Sequence, residues 1–203
     1  MFCLAVTVSA QETSYESLSE REAAVLLESR PLLVRLPGER NKIEALRRVL
    51  EEQPERSVDI EQRIARIEAD RDRRNRILMN SMRSSYPYAG VLFFYDYDSV
   101  PLRDGTESVT FLDENLGPVS DSSVPEDYLV LHLGTKIGGG QSVAGAQLLD
   151  RNYRPLPFGF PDFSKEQTFA SIFRSLGGHE QAERKNLERM VQRLNRKWEK
   201  YLD

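Results

Sequence analysis

The feature that most constrains this chain is a change of pattern at Tyr86-Pro87. Before it, apolar residues recur at the three-to-four spacing of amphipathic helices. After it, as far as Phe163, short apolar runs alternate with Gly, Pro, Asp and Asn, the signature of strands and turns. A chain that separates its helices from its strands in this way is expected to build an α+β domain.

The helical section is punctuated clearly. Ser17 and Ser19 each precede a glutamate by three positions (Glu20, Glu22), forming two overlapping capping boxes. Ala23, Val25, Leu26 and Leu27 then make a short amphipathic helix that Pro31 closes. Leu32, Leu33, Val34 and Leu36 read as a packed turn, and Pro37-Gly38 as a break. A second helix spans about Glu39 to Gln53 on Ile43, Leu46, Val49 and Leu50. Pro54 stops it, and Ser57 caps a third helix.

That third helix has apolar ends (Ile60, Ile64, Ile67; Ile77, Leu78, Met82) around a polar centre, Ala69 to Arg76. The pattern predicts that only the ends pack, with the centre solvated and laced by Asp70–Arg74 and Asp72–Arg76 pairs. Arg71, Arg73, Arg74 and Arg76 could form an anion patch, but Glu68, Asp70 and Asp72 among them favour a solvated face. Residues 11–85 are accordingly read as a helical arm.

Residues 86–203 are read as an antiparallel β domain with C-terminal helices packed on the sheet. Strand-like runs cover 90–95, 108–112, 128–133 and 143–149, with turn signals at Asp104-Gly105 and Arg151-Asn152. The connections are too short for crossover helices, which predicts about four antiparallel strands. Pro155 to Phe163 alternates aromatics with Pro and Gly and should drape over the sheet. Ser164 with Gln167 resembles a cap opening a short helix that ends at Gly177-Gly178. A final helix from Glu180 to Leu202 aligns Leu187, Met190, Val191, Leu194, Trp198 and Tyr201 on one stripe. No internal repeat is apparent.

Charge and cysteine content exclude some functions. The 203 residues carry 32 acids and 28 bases, a net charge of −4, which is not the balance of a nucleic-acid binder. Residues 87–163 hold 11 acids and 4 bases, a local −7, so the flanking segments sum to +3. With Cys3 alone, the chain has no intramolecular disulfide, CxxC redox site or thiolate zinc cluster. Residues 1–10 form an apolar run closing on Val8-Ser9-Ala10, which reads as the remnant of a secretory signal peptide lacking its basic start. The run is too short to span a bilayer, and a periplasmic or extracellular location is expected.

Three motifs invite chemistry. The strand Leu92-Phe93-Phe94-Tyr95 running into Asp96-Tyr97-Asp98-Ser99-Val100 resembles the first motif of haloacid-dehalogenase-type phosphatases. The resemblance implies Asp96 as nucleophile and Asp98 as acid/base beside a magnesium ion. That family also requires a parallel sheet with crossover helices, and nothing from 101 to 163 reads as helix. Asp96, Asp98, Asp104 and Glu107 could alternatively supply oxygen ligands to a structural calcium ion, although Pro101 stands where an EF-hand loop needs glycine. The glycine-rich stretch Gly134 to Ser142 has its lysine before the glycines, unlike a P-loop, and reads as an inter-strand loop. His132 and His179, the only histidines, lack partners at metal-ligand spacing.

The order of elements, with Phe111-Leu112-Asp113-Glu114-Asn115-Leu116 and the Leu148 to Leu156 run L-L-D-R-N-Y-R-P-L, resembles uncharacterised secreted bacterial envelope proteins, which have no assigned activity. The sequence as a whole points to a non-enzymatic periplasmic or extracellular protein that binds or supports through protein–protein contacts. No cofactor or catalytic residue is called for, and a protein partner or self-association is expected, without nucleic acid or a transmembrane segment.

Overall fold

A computed structural model of the chain describes residues 19–104, 109–119, 123–135, 144–156, 163–165 and 180–202. The signal-like segment, Glu107, most of the glycine-rich stretch, most of Pro155 to Phe163, the helix expected before Gly177-Gly178 and His179 lie outside the described residues.

Four helices form where their periodicity places them, α1 (Glu20–Ser29), α2 (Arg40–Glu52), α3 (Ser57–Ser85) and α5 (Glu180–Leu202), and a short α4 (Ser99–Asp104) forms where no helix was expected. Ser19 caps α1 in a complete capping box: Glu22 N–H donates to Ser19 Oγ, and the Ser19 N–H donates to the Glu22 carboxylate at 2.7 Å. The Ser19 hydroxyl also donates to that carboxylate at 2.7 Å, and this bond with the Ser19 N–H bond holds the Glu22 carboxyl below its ordinary pKa.

The sheet departs from the antiparallel expectation. Its five strands are β1 (Leu32–Leu36), β2 (Val91–Tyr95), β3 (Leu129–Thr135), β4 (Ala144–Leu149) and β5 (Phe163–Lys165), in the order β2-β1-β3-β4-β5. β1 pairs in parallel with both β2 and β3, while β4 pairs antiparallel with β3 and β5. The sheet is therefore mixed, with β4 alone running against the rest, and the domain is mixed α/β.

The cause is β1. The run expected to be a packed turn is the inner strand of the sheet. Leu32, Leu33, Val34 and Leu36 are all fully buried, because β1 has helices on one face and a second apolar layer on the other. α2 and α3 thus become the crossover between parallel strands β1 and β2. Of the expected strand at 108–112, the described residues keep two isolated bridges, Phe94–Phe111 and Leu112–Pro118, which cover the outer edge of β2. Ser164 lies in β5 opposite Ala146 rather than at a helix cap.

One face of the sheet (Leu32, Val34, Leu36, Phe93, Leu129, Leu131, Ala146, Leu148) packs under α1, α3 and α5, so residues before and after Tyr86 share one core. Trp198 of α5 is 0% exposed and meets the Tyr86 ring edge-to-face at 6.2 Å. Burial pushes the Tyr86 hydroxyl far above its usual pKa, and its proton goes to the Leu27 carbonyl at 3.2 Å. The other face carries a thinner layer of Leu33, Phe94, Leu102, Phe111, Tyr128, Val130 and Leu149. Ion pairs Arg30–Asp127 (2.7 Å) and Arg83–Glu114 (3.9 Å) link the helical flank to the acidic central segment.

The first half of α3 projects past the carboxyl ends of the parallel strands. Between Ile60 and Asn75 no residue of α3 is buried, and α2 runs beside it. The two helices form a hairpin about 20 Å long, closed at its tip by a tight helical turn, Pro54–Arg56.

Candidate functional site

The carboxyl ends of β1 and β2 and the root of the hairpin enclose the polar part of the molecule. Leaving β1, the chain turns through Pro37 and Gly38. This turn is tucked between α3 and the end of β2, where water cannot serve its backbone groups. Side chains serve them instead. The Gly38 N–H donates to Asp96 Oδ1 at 3.0 Å, Asn75 Nδ2 donates to the Pro37 carbonyl at 3.0 Å, and an Arg71 terminal nitrogen donates to the Gly38 carbonyl at 3.3 Å.

The polar centre of α3 is explained by this contact. Asn75 is 2% exposed and Arg71 is half-buried. One turn apart on α3, both meet the β1–α2 turn where an apolar side chain would leave carbonyls unpaired. The expected solvated centre with i,i+4 pairs is corrected accordingly. Asp70 bonds Arg73 at 3.2 Å and Asp72 bonds Arg71 at 2.8 Å.

An aromatic and guanidinium stack braces the same corner. Tyr95 and Tyr97 stack with centroids 5.2 Å apart. Arg71 lies over Tyr95 at 5.7 Å, and Arg40 of the first turn of α2 lies over Tyr97 at 5.5 Å. Burial raises the pKa of both tyrosines, the Asp98 charge adds to the effect at Tyr97, and Arg71 opposes it.

The sequence-derived site residues divide. Asp96 and Asp98 lie in the helical turn that ends β2 and runs into α4, a helix the sequence reading omitted. Asp96 Oδ1 holds the Gly38 turn, and among the described residues its other carboxylate oxygen makes no hydrogen bond. Asp104, at the far end of α4, is exposed and paired with Arg103 at 2.7 Å. Among the described residues, no three of His, Cys, Asp and Glu stand close enough to hold a metal ion.

A cleft of about 390 Å³ opens beside Asp96, lined by Arg35, Pro37, the first turn of α2 and Tyr97. A second, of about 380 Å³, lies beyond Tyr97 and Arg40 against Arg47, Glu68 and Arg71. Arg35 is the residue whose importance the sequence reading missed. Its signal was a single charge inside the apolar run Leu32 to Leu36. In register, Arg35 stands opposite His132 of β3, and His132 opposite Gln147 of β4, forming a polar row across the thinner face of the sheet. His132 is 9% exposed and Gln147 is 0% exposed.

Gly134 follows His132 on that face. A Cβ there would approach His132 Nε2 to 3.2 Å, so glycine leaves the ring room.

No family model, curated protein or solved structure matches the chain. Among the described residues, no helix is long and apolar enough to cross a membrane.

Proposed function

We propose that the protein is a non-enzymatic binding module of the periplasm or the cell exterior, acting through protein contacts made by the α2–α3 hairpin. The observation that carries this reading is the hairpin itself, an ordered projection whose outer half adds nothing buried beyond Ile60 to the fold. Acids and bases alternate along it, and Val58 near its tip is 64% exposed. Such a surface suits a partner that matches charges around a small apolar contact. The bonds at Gly38 and the Tyr95–Tyr97 stack brace its root, lowering the entropy lost when a partner docks.

Size-exclusion chromatography with light scattering, combined with cross-linking in an envelope extract, tests this reading. Self-association or a stable partner is expected, abolished by Val58→Asp without a change in melting temperature. A lone monomer that cross-links to nothing overturns it. Fusion of the complete coding region to a reporter active only outside the cytoplasm tests the location.

A metal-dependent phosphatase is a second reading, favoured by one observation. Asp96 directly follows a strand of the parallel part of the sheet and, among the described residues, keeps one carboxylate oxygen without a hydrogen bond. Magnesium-dependent hydrolysis of a chromogenic phosphate ester, lost in Asp96→Asn, would establish it, and absence of turnover removes it. A calcium-stabilised structural domain predicts a melting temperature that moves with calcium and chelator.

A further inference from the structure

We propose that the cleft at the carboxyl end of β1 binds a small-molecule oxyanion, a carboxylate or phosphate group, with Arg35 as its charge partner. This site lies at the root of the hairpin, apart from its outer half, and three observations converge on it.

The first is an uncompensated charge. Arg35 is partly buried, and one terminal nitrogen contacts His132 Nδ1 at 2.8 Å. A guanidinium has no acceptor, so Nδ1 must accept and the imidazole must be neutral. Its partner therefore supplies no negative charge. Among the described residues, no carboxylate lies within ion-pair distance of Arg35. Of the other charged residues on the cleft, Glu39 pairs with Lys42 and Arg40 with Glu44, both at 2.6 Å, while Asp96 meets only the neutral Gly38 N–H among the described residues.

The second is an orphaned donor. Arg35 Nε is buried without a hydrogen bond among the described residues. Buried polar groups ordinarily find partners, and an unpaired guanidinium N–H on a residue that lines a cleft marks a place that an acceptor completes.

The third is position. From β1 the chain crosses to β2 on one side, while β3 lies on the other. In open sheets with parallel strands, the crevice at such a switch point is where ligands bind. A volume of about 390 Å³ admits a small organic anion. A guanidinium fork suits the planar or tetrahedral oxygens of a carboxylate or phosphate.

The test uses the full chain in chloride buffer at constant ionic strength, titrated separately with inorganic phosphate and with acetate. Side-chain and amide NMR shifts and the melting temperature are followed. At least one anion should shift Arg35, His132 and residues 37–42 saturably and raise the melting temperature. Arg35→Lys, which keeps the charge but loses the fork, should bind it about tenfold more weakly. Asp96→Asn removes a carboxylate from the cleft lining and should tighten binding, so the test survives if the Arg35 variant does not fold. Shifts that track ionic strength alone, or affinity unchanged in both variants, would overturn the proposal.

Discussion

Asp96 Oδ1 accepts the Gly38 N–H at 3.0 Å, joining the end of β2 to the turn that leaves β1. The close approach depends on glycine. A Cβ at Gly38 would stand 2.8 Å from both Asp96 Oδ1 and the Tyr97 ring. Gly38→Ala should therefore cost about 1–3 kcal/mol by overpacking, and Asp96→Ala about 1–2 kcal/mol through the orphaned N–H. Asp96→Asn keeps an acceptor and should be milder. Urea denaturation ranks the three, and equal stability of Gly38→Ala and wild type would refute the packing argument.

The contact between Arg35 and His132 fixes a tautomer. Because the guanidinium can only donate, His132 should carry its proton on Nε2, with Nδ1 as the acceptor. Long-range ¹H–¹⁵N correlation spectra at neutral pH distinguish the two nitrogens. Arg35→Met should release this preference, and a mixed tautomer population in the wild type would contradict the geometry.

Two turns of the same construction close the lower edge of the sheet. Asp113 Oδ1 accepts the N–H groups of Asn115 and Gly117, and Asp150 Oδ1 those of Asn152 and Arg154, all at 2.8 Å. Leu116 and Tyr153 take left-handed φ values of 68° and 62° at matching positions. The shared spacing D-x-N-x-x-P is a short internal repeat that the sequence reading did not register. Asp150→Ala should cost about 2–3 kcal/mol and Asp113→Ala less, because Asp150 is 2% exposed and Asp113 partly exposed.

Asp150 also predicts a pH dependence. Burial raises its pKa, outweighing the two backbone N–H bonds that lower it. The folded state therefore holds the proton more tightly than the unfolded chain. This contribution to stability is complete below the unfolded pKa and disappears as pH rises through the folded one. Asp150→Asn should lack this loss, so its stability relative to wild type should grow as pH rises from below the unfolded aspartate pKa, about 3.9, through the raised folded one. Parallel pH profiles of the two proteins would rule this out.

Trp198 anchors α5 against Tyr86. Trp198→Ala should cost about 3–5 kcal/mol, and Trp198→Phe considerably less. Circular dichroism in urea measures both, since the variants lose the chain's only tryptophan fluorescence.

Much of the local structure was legible because its causes are local. Ser19 with Glu22, Pro31 and Pro54 bound their helices as capping and stop signals should. Met190, Val191, Leu194 and Trp198 are buried along the stripe that their spacing defines. The site was less legible. Asp96 stood out by resemblance, but its bond reaches Gly38, 58 positions earlier, and Arg35 meets His132 across 97 positions. No window of sequence contains such a pair.

The sequence by itself determined the four longer helices, α1, α2, α3 and α5, and their apolar stripes, since these follow from backbone propensity and side-chain period. Only the tertiary structure decided that Leu32 to Leu36 is a strand, and with it that the sheet is mixed. A strand buried on both faces shows no alternation, and five apolar-rich residues fit a packed turn equally well. Its identity comes from partners at Val91 to Tyr95 and Leu129 to His132, distant in sequence and adjacent only after the chain has folded.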